Sequence, residues 1–126
     1  MSTTANPTLD TFTKAYIIAA LWSSTDDHEE PLDSNYSADD LAPETLQQMI
    51  TDCQKFQSQA GELIKDDLER AGHDFWLTRN GHGSGFWDGD WEIAHGDTTV
   101  GNVLTDLSKK FKECNLYVAN GKVYII

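Results

Sequence analysis

Positive charge is scarce in this chain, and so is nearly every pattern that marks an enzyme. Nine Lys and Arg stand against 21 Asp and Glu, a formal net charge of −12. A field of that sign repels phosphate backbones and anionic membranes, so neither nucleic acid nor a lipid surface is expected as a direct partner. The apolar run Tyr16–Trp22 is far below the length of a membrane span. No basic region followed by an apolar one opens the chain, so no secretory signal is read and a cytoplasmic protein is expected. Only two cysteines occur, Cys53 and Cys114. Each falls at an apolar-periodic position of a predicted helix and is expected as a buried free thiol. Whether the two could bridge depends on a distance that sequence does not give.

Metal and nucleophile patterns are missing too. His73, His82 and His95 with Asp74, Asp88 and Asp90 show no HExxH, Cys-pair or His-x-His spacing, so no metal is expected. Asp88-Gly89-Asp90-Trp91-Glu92 opens like a calcium loop, but Ile93 stands where its glycine belongs and Thr99 where its bidentate acid belongs. Gly81-His82-Gly83-Ser84-Gly85 is followed by Phe86 and Trp87 rather than by a helix start with a phosphate-gripping lysine. Ser84 lacks the strand-to-helix elbow of a hydrolase nucleophile. No catalytic residue and no cofactor are assigned.

The chain does have a one-sided distribution of acid. Asp26, Asp27, Glu29, Glu30, Asp33, Asp39, Asp40 and Glu44 follow one another with no Lys or Arg between them. Residues 1–70 carry 14 acids and 4 bases, net −10, whereas residues 71–126 carry 7 and 5, net −2. Such a field attracts basic surfaces, and many basic surfaces exist to hold phosphate backbones. The leading expectation is a non-enzymatic protein whose carboxylates Asp26, Asp27, Glu29, Glu30, Asp33, Asp39 and Asp40 compete with nucleic acid for a basic groove on a partner protein.

A length of 126 residues indicates one domain, and 39% apolar residues suffice for a core. Residues 1–8 are expected to fray. A first helix is predicted over Leu9–Trp22, from Leu9, Phe12, Tyr16 and Ala19 or Ala20. The acidic stretch 25–40 reads as surface loop, with turns near Pro31 and Asn35. A long second helix is predicted from Pro43 to a stop at Gly72, on the stripe Leu46, Met49, Ile50, Cys53, Phe56, Ala60, Leu63 and Ile64. Alternation then suggests strands Asp74–Thr78 and His82–Trp87 around Asn80-Gly81, a strong hairpin signal. A turn-rich connection, a helix over Thr99–Glu113 and a hairpin Leu116–Ala119/Lys122–Ile126 across Asn120-Gly121 complete the chain. The predicted class is α+β, with two N-terminal helices, then hairpin, helix and hairpin forming a small antiparallel sheet packed on helices.

The aromatics Phe75, Trp76, Phe86, Trp87 and Trp91 are dense, and strand alternation would place them on both faces of the first hairpin. Core packing accounts for one face. The other offers a second reading, a protein-interaction surface built from Trp76, Arg79, His82, Trp87, Asp88 and Trp91. A third reading takes Arg79 and His82, beside the glycine-rich turn, as a grip for a small anion.

The block Ala71-Gly72-His73-Asp74-Phe75-Trp76-Leu77-Thr78-Arg79-Asn80-Gly81-His82-Gly83-Ser84-Gly85-Phe86-Trp87-Asp88 resembles one that recurs in small acidic proteins of bacteriophages and mobile elements. The resemblance reaches into Asp52-Cys53-Gln54-Lys55-Phe56, Leu104-Thr105 and Leu116-Tyr117-Val118. It implies a context rather than an activity. A phage accessory product would act in the cytoplasm of a bacterial host, where restriction, CRISPR and DNA-repair enzymes present basic surfaces.

Overall fold

The computed structural model describes residues 9–25, 29–81, 85–86 and 91–125. Its class is α+β. Four helices (α1, Thr11–Ser23; α2, Pro43–Ala60; α3, Leu68–Arg79; α4, Val100–Lys109) are joined by two small antiparallel two-stranded sheets (β1, Ala94–His95, with β2, Thr98–Thr99; β3, Leu116–Ala119, with β4, Lys122–Ile125). The strands do not merge into the single sheet expected from sequence.

Helix α1 starts where the Asp10 carboxylate accepts from the Thr13 backbone N–H at 2.7 Å, which satisfies a donor that the first helical turn leaves unpaired. It packs lengthwise on α3, and Gly72 makes the close approach possible. A Cβ at that position would collide with the carbonyl of Phe12 and sit 3.1 Å from the Ala15 methyl. Gly72 therefore stands inside a helix, at a helix–helix contact, and is not the helix stop that its sequence position suggested.

The long second helix is two helices. Gly61 adopts φ 54°, a left-handed value that halts α2, and a 3₁₀ turn over Gly61–Ile64 carries the chain to the Asp67 cap of α3. The apolar stripe continues through Leu63 and Ile64 because that turn also faces the core.

Asp74–Thr78, expected as a strand, is helix. From Asp74 to Arg79 every residue is buried, so this half of α3 shows no polar face from which a 3.6-residue period could be read. Asn80 caps this helix: its Nδ2 donates to the Trp76 carbonyl at 3.0 Å, and its Oδ1 accepts from Cys114 N–H at 2.8 Å. Asn80-Gly81 thus ends a helix instead of turning a hairpin. Of the expected returning strand, Gly85 and Phe86 form a bend and a turn, and 82–84 and 87 lie outside the described residues.

The remaining elements follow their local signals. Thr99 Oγ1 caps α4 by accepting from Asn102 N–H at 3.1 Å. The last hairpin turns at Asn120 and Gly121, with φ 54° and 77°, in the register Leu116↔Ile125 to Ala119↔Lys122. One core holds the pieces together, with Phe56 stacked on Phe75 at 4.2 Å and Tyr16 edge-on to Trp76 at 5.4 Å. No helix among the described residues is long and apolar enough to cross a membrane.

Candidate functional site

Three groups of side chains carry chemistry. The first is centred on Arg79. Its guanidinium donates to Asp52 Oδ2 at 2.9 Å, the Tyr16 hydroxyl at 3.1 Å, the Phe111 carbonyl at 2.7 Å and the Lys112 carbonyl at 2.8 Å. Phe75 and Phe111 flank it, with ring centroids 5.7 and 5.6 Å from the guanidinium carbon. Four of the five N–H donors of an arginine are thereby committed to the fold. Burial works to lower its proton affinity, but Tyr16, Cys114 and Asp52 outweigh burial and raise it, so the charge is kept. Arg79 is a structural cation at 6% exposure, and the reading of it as an anion grip or contact residue is corrected.

The second group is centred on Asp74, whose Oδ2 accepts from Trp91 Nε1–H at 2.7 Å and from Arg70 Nε–H at 3.1 Å. Trp76, 1% exposed, donates its indole N–H to Ser23 Oγ at 2.7 Å. Trp91 is 4% exposed and packs edge-on to Phe86 at 5.4 Å. Phe86 N–H donates to Thr78 Oγ1 at 2.9 Å, which fastens that stretch to α3. Trp76 and Trp91 therefore belong to the core, not to an aromatic docking face. Both needed indole partners inside the protein, and Ser23 and Asp74 supply them. His82, Trp87 and Asp88 lie outside the described residues.

Cys53 and Cys114 are buried free thiols. Burial pushes both up in pKa, which keeps them protonated and poorly nucleophilic. Cys114 lies in the stretch before β3 and not on a helix, since α4 ends at Lys109. Burial also lifts the Tyr16 hydroxyl well above its ordinary value, an effect that nearby Arg79 opposes. Among the described residues no group of three or more His, Cys, Asp or Glu is gathered to hold a metal ion.

The third group is the acidic segment, which is ordered over its described part. Thr25 bridges Pro31, Leu32 N–H donates to the Ser24 carbonyl at 2.9 Å, and the Leu32 side chain is fully buried. Two single 3₁₀ turns follow, Leu32–Ser34 and Ala38–Asp40. A capping box holds the second turn: Ser37 Oγ accepts from Asp39 N–H at 3.3 Å and Asp40 Oδ2 from Ser37 N–H at 2.9 Å. Leu41 then bridges Val123 of β4, and Ala42 N–H donates to the Val123 carbonyl at 2.9 Å. On this frame Glu29, Glu30, Asp33 and Asp39 are exposed, whereas Asp40 is half-buried by its capping role. Asp26 and Asp27 lie outside the described residues.

Sequence reasoning missed one feature. Helix α1 turns a stripe of Lys14, Ile18 and Trp22 outward, and Ile18 and Trp22 are 62% and 56% exposed. The apolar run Tyr16–Trp22 held the signal, because a helix apolar on every side must show something to solvent unless it is enclosed. No family model, curated protein or solved structure matches the chain.

Proposed function

We propose that this protein is a non-enzymatic inhibitor that occupies the basic, nucleic-acid-binding surface of another protein. The observation that carries the reading is the set of exposed carboxylates Glu29, Glu30, Asp33 and Asp39 mounted on an ordered backbone. Carboxylates held in place lose less conformational freedom on docking than those on a free tail. A net charge of −12 steers them toward cationic surfaces at long range. The two competing readings lose their central residues, since Trp76, Arg79 and Trp91 are core. The resemblance of residues 71–88 to phage proteins supports a bacterial defence or DNA-repair protein as target and the host cytoplasm as the place of action.

Capture of partners from bacterial lysate on the immobilised protein, at low and at high salt, tests this. The expected result is a nucleic-acid-binding protein held at low salt and released by added DNA or by salt. Changing Glu29, Glu30, Asp33 and Asp39 together to Lys should abolish capture. Each exposed change should alter folding stability by no more than about 0.5 kcal/mol. Capture that survives the charge reversal, or that DNA does not displace, overturns the reading.

A further inference from the structure

Of the exposed pair Ile18 and Trp22, Ile18 sits between two concavities, and Trp22 lies four residues further along the same helix. On one side, a cavity of about 440 Å³ lies between α1 and the 3₁₀ turns of the acidic segment, with Leu9, Ile17, Leu21, Tyr36 and Ala38 in its wall and Asp33 beside them. On the other, a cavity of about 560 Å³ lies against α3, where Ala15 and His73 meet Asp67 and Glu69. Ile18 lines both. The Trp22 ring rests beside the His73 ring at 5.8 Å, so it has a fixed seat at the surface. Four residues apart on one helix, Ile18 and Trp22 form a single apolar ridge.

Charge restricts what can cover that ridge. Lys14 and Arg70 also line the two cavities, and Arg70 is held by Asp74 at 3.1 Å. Asp74 is buried and spent on Arg70 and Trp91, but against the two cations stand Asp33, Asp67 and Glu69, with the exposed Glu29, Glu30 and Asp39 on the adjoining segment. A second copy of this chain would set carboxylates against carboxylates, and an anionic lipid surface would be repelled. A basic partner relieves both conflicts.

We infer that the Ile18–Trp22 ridge is the apolar anchor of the docking surface and receives a basic amphipathic helix of the partner, its apolar side chains in the groove beside α1 and its lysines or arginines over the flanking carboxylates. This rests on the acidic-inhibitor reading and adds to it a site and a partner class. Charge supplies attraction and approach rate, and the ridge supplies the desolvated contact that sets how long the complex lasts.

The test uses the full chain and two synthetic probes of equal charge, a helix with leucines along one face and lysines along the other, and an oligolysine. Calorimetric affinities should favour the leucine–lysine helix by on the order of tenfold or more, the loss typical of one aromatic hot spot. Binding should shift the emission of Trp22. Ile18→Ser and Trp22→Ser, each checked for an unchanged unfolding midpoint, should bring the helix down to the oligolysine level. Trp22→Tyr should keep part of the preference. Equal affinity for the two probes, or a preference that both serine variants retain, overturns the inference. Self-association of the protein in sedimentation, abolished by Ile18→Ser, overturns it in favour of a second copy. Combined reversal of Glu29, Glu30 and Asp39 to Lys reads the other question. If it leaves oligolysine binding intact, the acidic reading fails. If it removes binding while the serine variants change nothing, the acidic reading stands without the ridge.

Discussion

Helix α3 and the segment from Glu29 to Leu41 hold much of the chemistry-bearing side-chain equipment of this protein, and they turn it in opposite directions. In α3, Asp74, Trp76 and Arg79 all face inward and are matched to partners at 2.7 to 3.1 Å. In the acidic segment, apolar Leu32 and Leu41 face inward and the carboxylates face out. The contrast teaches that residue type alone does not mark a site. An arginine or tryptophan is a candidate contact only while its donors are uncommitted. A buried polar group without a partner is costly, so the core had to recruit Asp52, Ser23 and Asp74 once it enclosed Arg79, Trp76 and Trp91.

The sharpest way to break the contrast is Arg79→Met. If the ion pair with Asp52 is structural, the substitution strands a buried carboxylate and should cost about 3–5 kcal/mol in urea unfolding. Pairing it with Asp52→Leu should recover much of the loss, because no charge is then left alone. A fully stable Arg79→Met protein would return Arg79 to the list of functional candidates.

Gly72→Ala comes next. The new methyl meets the Phe12 carbonyl, so α1 and α3 must separate, at about 1–3 kcal/mol by overpacking. A thermal unfolding midpoint that does not fall would mean that the two helices are not so closely seated.

The smallest effect concerns Asp10. Burial pushes its pKa up, but the hydrogen bonds from Thr13 and Gln57 prevail, so its folded value lies below the ordinary one. The cap therefore contributes fully above the unfolded-chain pKa of about 4 and fades as the pH falls through the lower folded value. Asp10→Ala should cost about 1 kcal/mol at neutral pH. The difference from the native protein should narrow in acid, as unfolding curves at several pH values would reveal.

Elements with a clear face were legible in the sequence. Helix α4 and the Asn120-Gly121 hairpin lie close to their expected positions, because one has an apolar stripe opposite polar residues and the other has turn residues suited to φ > 0. Helix α1 was found from Phe12 and Tyr16, within two residues at its start and one at its end. Helix α3 was not found. Its second half, Asp74–Arg79, is enclosed by α1 and the rest of the core and needs no polar face, so the run Phe75-Trp76-Leu77 looks like a strand. The break at Gly61 was hidden because Leu63 and Ile64 resume the apolar pattern on a different kind of turn.

Of the candidate contact residues, the exposed acids at Glu29, Glu30, Asp33 and Asp39 were legible, since a run of acids with no Lys or Arg nearby in sequence has few reasons to be buried. The aromatic candidates were not. Composition cannot separate Trp76, enclosed at 1% exposure, from Trp22, open at 56%. That distinction depends on which side of a helix meets a neighbour, and the neighbour is set by tertiary packing.

The bridge from Leu41 to Val123 joins residues 82 positions apart. The other ties of the acidic segment, from Thr25 to Pro31 and within the capping box at Ser37, are local, whereas its far end is fastened by a contact of long range. The placing of the carboxylates is therefore shared between their own turns and the β3–β4 hairpin, and a change that loosens Val123 would reach the acidic array without touching any of its residues.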